Sequence, residues 1–407
     1  MSKYSLFSVI GLEIEYMLVD RDTLDIRPIS DVILTSLAGR QCNEAILGDI
    51  AVSNELVLHV VELKHNGPQP ITAPLAHQFQ QAIAQIQPVL NEHNVLFLPT
   101  GAHPWMNPHT ETERWPHGNN AIYQQFDTIF NCQGHGWANL QSMHVNLPFA
   151  NDTEFFQLHS AIRLLLPLMP ALAASTPFLD GQYTGFKDTR LHFYGINQLL
   201  IPAISGDIIP EFVHSIAEYQ EQILSPMYDA IRPYDPNNIL QYEWLNSRGA
   251  IPKFDYGAIE IRLLDTQECV HADIALAKLI VAVLKKWLGH SHYFLEHPCP
   301  MTPLKLLYQN NVRDGLATKI DYKELMTQWQ IPTSAKNSRD VWSYLIEQVS
   351  GELDNTCQKA LETILSQGNL SDRLLSAIGG DYQPKTFATL YRQLSDCLLE
   401  NKQFSAL

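Results

Sequence analysis

Three short segments carry polar residues at i and i+2: Glu13/Glu15 in G-L-E-I-E-Y, His144/Asn146 in M-H-V-N-L, and Glu260/Arg262 in A-I-E-I-R-L. Each pair alternates with apolar residues, the pattern of a β-strand, in which alternate side chains share a face. One such pair needs no explanation beyond a solvated outer face. Three pairs in one chain, all built from types that ligate metals or bind phosphate, point to a common site. E-L-V-L-H-V-V-E adds Glu55 and Glu62. Their separation of seven would put them on opposite faces of a regular strand, so a bulge or a strand end must intervene if both are to reach one place.

Brought together, these segments would hold five carboxylates and one imidazole. Five carboxylates cannot all stay ionised side by side without cations. An oxygen-rich ligand set suits magnesium, or manganese, better than zinc. Carboxylate-held magnesium with Arg262 beside it is equipment for phosphoryl transfer: cations bridge phosphate oxygens and the guanidinium stabilises charge on the group in flight. No P-loop and no protein-kinase motif set is present, so any nucleotide site is of another kind.

The elements that must position these residues can be read from periodicity. Residues 7–20, 55–64, 95–104, 137–148 and 256–264 read as strands, and 74–92, 154–174, 210–232 and 272–288 as helices. Residues 106–120 lack periodicity and read as a long loop of the kind that is often functional. Beyond about residue 300 the pattern is helical, over 321–329, 339–366, 370–377 and 385–400. Strands without regular βαβ alternation imply an α+β fold with a mainly antiparallel sheet and a helical C-terminal part. The expected division is a catalytic region over 1–300 and a helical region over 301–407 packed on it.

The 407 residues include 43 acidic and 27 basic ones, a formal charge of −16, which argues against nucleic acid as a partner. Such a chain needs a cation to receive an anionic substrate. Six scattered cysteines without a C-x-x-C pair fit a reducing, cytoplasmic compartment and are expected to be small buried hydrophobes. The first nine residues show no signal run, and no stretch reaches the ~20 uninterrupted apolar residues of a membrane span. His103 is expected as a turn histidine bonded to backbone, Trp105 and Trp115 as packing residues, and Ser371-Asp372-Arg373 as a helix cap.

G-L-E-I-E-Y-M-L-V-D (11–20) resembles the opening strand of the carboxylate–amine ligase and glutamate–cysteine ligase group. The resemblance continues in order through E-L-V-L-H-V-V-E-L-K (55–64), G-A-H-P-W (101–105), M-H-V-N (143–146), L-P-L-M-P-A-L-A-A-S-T-P-F (166–178) and R-G-A-I-P-K-F-D-Y-G-A-I-E-I-R (248–262). It ends in N-V-R-D-G-L (311–316) and G-N-L-S-D-R (368–373). Each motif alone is weak; the ordered set spans nearly the whole chain.

The resemblance implies a glutamine-synthetase-like catalytic fold with a curved, mainly antiparallel sheet. It implies Glu13, Glu15, Glu55, Glu62, His144 and Glu260 as ligands of two or three magnesium ions on the ATP phosphates, with Arg262 on the transferred phosphoryl group. Asn146, Arg248, Arg190 and Arg313 fall near family positions that bind phosphate or substrate. The implied reaction is ADP-forming: the γ-carboxylate of glutamate is phosphorylated, then attacked by an amine such as that of cysteine, as in glutathione biosynthesis. Residues 106–126 depart from the Arg- and Tyr-rich pattern expected there, and they are expected to help shape the substrate pocket. A small-molecule phosphotransferase and a non-catalytic Mg-ATP-binding module are the alternatives, and a homo-oligomer is compatible with either.

Overall fold

The sheet is built around its first strand. In the computed structural model, which describes residues 4–290 and 293–406, the strands are β1 (Val9–Asp20), β2 (Glu44–Leu47), β3 (Ile50–Asn54), β4 (Val60–His65), β5 (Gln69–Pro70), β6 (Val95–Leu98), β7 (Ser142–Pro148), β8 (Phe178–Leu179), β9 (Gln182–Tyr183), β10 (Ala250–Lys253) and β11 (Ala258–Asp265). Met1–Lys3, at the head of the segment read for a signal run, lie outside the described residues. Nine strands form one open sheet in the order β10-β11-β7-β1-β4-β3-β2, with β5 and β6 pairing with the two ends of β1; β8 and β9 form a separate hairpin. Every ladder in the sheet is antiparallel. The architecture is α+β, as the strand pattern implies.

Alternation along β1 divides its two faces. Leu12, Ile14, Tyr16 and Leu18 point into the larger core. That face is covered by the helices Leu75–Glu92, Asp152–Leu165 and Val270–His290, behind which Met301–Asp314, Ser338–Val349 and Asn355–Gln367 pack. On the other face Glu13 and Glu15 are followed by Met17 and Val19, which enter a second core with Leu96, Leu98 and residues of the helices Leu370–Ile378 and Pro384–Glu400. Each fully buried Leu or Ile side chain contributes about 1.5–3 kcal/mol, which offsets the cost of holding carboxylates on the opposite face of the same strand. The helical run Asp152–Ala173 is apolar and long enough to cross a membrane by composition alone, but nearly all of it is buried against the sheet and its neighbours.

Several elements differ from expectation. Residues 55–64 are not one strand: the chain turns after Asn54 and re-enters the sheet at Val60. The 154–174 helix is interrupted by a 3-10 turn at Leu166–Leu168, where Pro167 and Pro170 remove backbone donors. The 339–366 helix is two helices joined by a 3-10 turn at Ser350–Glu352. Residues 106–120 contain a single helical turn, Pro108–Glu111, before the helix Asn120–Phe130 begins. The cap of Leu370–Ile378 is Asn369, whose side chain accepts from the Asp372 amide, not Ser371. Arg373 is instead buried, with Nη1 donating to Glu268 at 2.5 Å and to the Phe404 carbonyl at 2.6 Å.

Candidate active site

Strand register brings the polar pairs together. Glu13 lies opposite His144, Glu15 opposite Glu62, and Glu260 opposite Asn146. The turn after Asn54 resolves the seven-residue spacing, since Ser53 is opposite Glu62 in the β3–β4 ladder and Glu55 follows on the loop. Glu13, Glu15, Glu55, Glu62 and His144 all line one cavity of ≈ 350 Å³, together with Arg190, Lys253 and Arg262. Glu260 is fully buried beneath Lys253 and Arg262, with Arg262 Nε 2.6 Å from Glu260 Oε1.

Among the described residues two clusters could hold a metal ion: Glu13, His144 and Glu260 in one, Glu15, Glu62 and His144 in the other, with donor atoms of each within 4.8 Å of one another. His144 joins them. Its Nδ1 is 2.9 Å from Glu13 Oε2, and its Nε2 is 2.9 Å from Ser142 Oγ. Ser142 in turn fixes Glu15, its amide donating to Oε2 at 2.7 Å. Asn146 does not line the cavity; its Nδ2 donates to Glu13 Oε1 at 3.0 Å, so it orients a ligand from behind.

The electrostatics are uneven. Burial works against the charge of Glu13, but the His144 bond and the charges of Lys253 and His144 outweigh it and hold the carboxyl well below its usual range. Glu260 is lowered despite burial, chiefly by Arg262. The opposite holds for Glu62 and Glu55. Burial and the neighbouring Glu13 push Glu62 up to about 7, and burial with Glu15 and Glu62 beside it raises Glu55 well above the usual range. His144 is raised, the Glu13 bond and the Glu260 charge overcoming burial. A carboxylate pair whose charge is disfavoured, next to an oxygen-rich set with one imidazole, is the donor chemistry that a hard divalent cation satisfies.

Two lysines that sequence reasoning missed belong here. Lys64 Nζ is 3.1 Å from both Glu62 Oε2 and Glu44 Oε2, and Lys253 pairs with Glu260 while standing 4.0 Å from Glu13 Oε1. Lys64 sits two residues after Glu62 on the same face, a spacing visible in E-L-K. Lys253 comes from β10, which gave no strand signal because Pro252 interrupts it.

The arginines separate into three roles. Arg190 lines the cavity while its Nε pairs with buried Asp265, which also accepts from Ser175 and Thr176. Arg248 is buried and makes two parallel bonds to Glu211, at 2.6 and 2.7 Å, without lining the cavity. Arg313 is exposed, pairs with Asp314 and stands apart from the cavity. His103 is a backbone-bonded turn histidine, and Trp115 is fully buried with its indole donating to the Gly118 carbonyl.

A family model described as glutamate-cysteine ligase family 2 matches residues 9–391. An uncharacterised protein of Archaeoglobus fulgidus is 33% identical over 397 residues, 97% of this chain and 100% of that one. A Ruegeria pomeroyi protein provisionally named glutamate–cysteine ligase 2 is 24% identical over 280 residues, 68% of this chain and 65% of that one. Among solved structures, the glutamate–cysteine ligase of Francisella tularensis in complex with AMP is similar with a TM-score of 0.60 at 10% identity, covering 100% of this chain and 91% of that one. The bifunctional glutathione synthetase of Pasteurella multocida is similar with a TM-score of 0.54 at 12% identity; the match covers 95% of this chain and about half of that longer one, 52%. At such identities the likeness is one of fold: an open antiparallel sheet with flanking helices.

Proposed function

The chain belongs to the glutamate–cysteine ligase family 2, and from that premise we propose that it is an ATP-dependent carboxylate–amine ligase that forms a γ-glutamyl amide, with glutamate as donor and cysteine as the first acceptor to test. The observation that carries the reading is the meeting, from three neighbouring strands, of the polar pairs Glu13/Glu15, His144/Asn146 and Glu260/Arg262 at one cavity or directly beneath it. Glu13, Glu15, Glu55, Glu62, His144 and Glu260 would hold two or three magnesium ions, and manganese suits the same donors. Such ions supply neutralisation of the ATP phosphates.

The chain's own residues account for the rest. A donor carboxylate oxygen attacks the γ-phosphorus of ATP, the bond to ADP breaks, and an acyl-phosphate results. The amine nitrogen then bonds to the acyl carbon, the carbon–oxygen bond breaks, inorganic phosphate leaves with the electron pair, and the nitrogen's proton is lost to solvent. Arg262, fixed by Glu260, faces the cavity where the transferred phosphoryl would pass, and Lys253 adds a second positive charge. Arg190, anchored on Asp265, is suited to a donor carboxylate. The catalytic region proposed is 1–300, with the helices beyond 301 supporting it. The six cysteines carry no disulfide, which suits the reducing cytoplasm in which we place the protein.

The test is an ADP-release screen over pairs of amino acids and amines with mass spectrometry of the products. The expected result is an amide with stoichiometric ADP and phosphate. A phosphorylated compound without an amide, or ATP binding without ADP under every mixture, would overturn the reading.

A further inference from the structure

The carboxylate part of the cavity is disposed to receive cations, and another part of its wall carries neutral polar atoms without partners. Trp137 Nε1, Asn197 Oδ1 and Gln198 Oε1 are buried and have no hydrogen-bond partner among the described residues, and all three side chains line the cavity. Gln198 is only 3% exposed. Asn197 is held in place from its other end, its Nδ2 donating to the Gly136 carbonyl at 2.8 Å. Gly136 lets this happen: a Cβ there would stand 2.8 Å from Asn197 Cβ and 3.3 Å from the Phe193 carbonyl oxygen. Phe126, which lines the same cavity, packs between Trp137 and Trp244 in tilted ring contacts, with centroids 5.5 and 5.9 Å apart. The three cations that line the cavity are already engaged: Arg190 with Asp265, Lys253 and Arg262 with Glu260.

Buried polar atoms in a folded protein are ordinarily paired. Two acceptor oxygens next to aromatic faces form the combination that favours an ammonium group, and a lone indole N–H favours an oxygen of the same molecule. We infer that this wall is the acceptor-amine subsite: the side-chain oxygens of Gln198 and Asn197 receive the ammonium of the incoming amine, Trp137 Nε1–H donates to its carboxylate or carbonyl oxygen, and Phe126 and Trp244 flank its side chain. The substrate class is a small primary amine with an apolar or polarisable side chain. The inference rests on the ligase reading above and goes beyond it by assigning the residues that select the acceptor.

The experiment separates the two half-reactions. Hydroxylamine at high concentration intercepts an acyl-phosphate, giving a hydroxamate and inorganic phosphate without needing the subsite. With ATP and glutamate, wild-type protein is expected to form hydroxamate, and Gln198→Leu to form it within about twofold of wild type. The same variant is expected to raise KM for cysteine at least ~10-fold with little change in the hydroxamate rate. Gln198→Glu, which keeps an acceptor oxygen, is expected to restore KM to near wild type. An unchanged KM in Gln198→Leu, equal damage in Gln198→Glu, or loss of hydroxamate formation in Gln198→Leu would each overturn the subsite. Absence of hydroxamate from wild-type protein with any carboxylate would instead sink the ligase reading itself.

Discussion

Glu13 on β1 and His144 on β7 stand directly opposite each other, and the 2.9 Å contact between Glu13 Oε2 and His144 Nδ1 links the two candidate ligand sets through one imidazole. Removing the charge of Glu13 while keeping its shape breaks that link. Glu13→Gln is expected to lower ADP release by roughly 10²-fold or more, with the far-ultraviolet circular dichroism unchanged. Turnover near wild type would remove Glu13 from the site.

Arg262 tests the phosphoryl assignment. Arg262→Lys keeps a positive charge beside buried Glu260 but loses the planar fork. A fall in kcat of about 10²–10³-fold with KM for ATP little altered is the signature of a contact made in the transition state. Steady-state kinetics over ATP concentration distinguishes this from weakened binding, in which KM alone would rise.

Glu62 links the site to stability. A carboxyl whose pKa is raised by folding stabilises the fold while protonated; its contribution is complete below about 4.5 and is lost as pH rises through about 7. At pH 8 without divalent cations Glu62→Gln is therefore expected to have a Tm equal to or above wild type. Magnesium at 100 times its Kd adds about 2.7 kcal/mol to a protein that binds it, and this gain is expected in wild type and absent in Glu62→Gln. Differential scanning calorimetry with and without magnesium reads both effects.

His103 predicts the acid limb of stability. Its Nε2 donates to the Leu24 carbonyl at 2.8 Å and its Nδ1 accepts the Trp105 and Met106 amides, so only the neutral ring fits. Burial pushes its pKa down to about 4. A base whose pKa is lowered by folding contributes stability fully above about 6.5 and loses it as pH falls towards 4, on the order of 3 kcal/mol in all. His59, buried and also lowered to about 4, adds to the same limb. Urea denaturation at pH 7 and pH 5 should show the loss, and His103→Gln should shrink the difference; an equal slope in the variant would refute the assignment.

Much of this site was legible because a strand's two-residue period is rigid. Glu13/Glu15, His144/Asn146 and Glu260/Arg262 needed only the alternation of their apolar neighbours, and the α+β class followed from the order of strands and helices. Glu55 and Glu62 could not be placed by period, since what joins them is a turn at 55–59 whose geometry is set by the β3–β4 register and not by local pattern. Lys253 lay hidden because Pro252 erases the strand signal of β10. The strand pattern over 137–148 misplaces Trp137, which lies in the helical turn His135–Ala138 ahead of a strand that begins only at Ser142; Asn197 and Gln198 carry no periodic signal, and they meet Trp137 because Gly136 lets two non-adjacent segments touch. Arg373 was misread as part of a cap because nothing nearby in sequence announces Glu268, 105 residues earlier.

The place of β1 at the centre of the sheet has a consequence in time. It leaves the ribosome before the other strands of this sheet, yet it pairs with β4, β6 and β7, and the Glu15 carbonyl accepts a bond from Thr266 Oγ1. At roughly 5–20 residues per second, some tens of seconds separate the synthesis of Glu13 from that of Glu260. In the later part of that interval β7, the strand beside β1, presents an unpaired edge, because β11 alone can cover it. The nascent chain must therefore be kept from pairing with other chains until its second half arrives, and slow translation or a low growth temperature should change the yield of folded protein more than any change in the purified protein's stability would suggest.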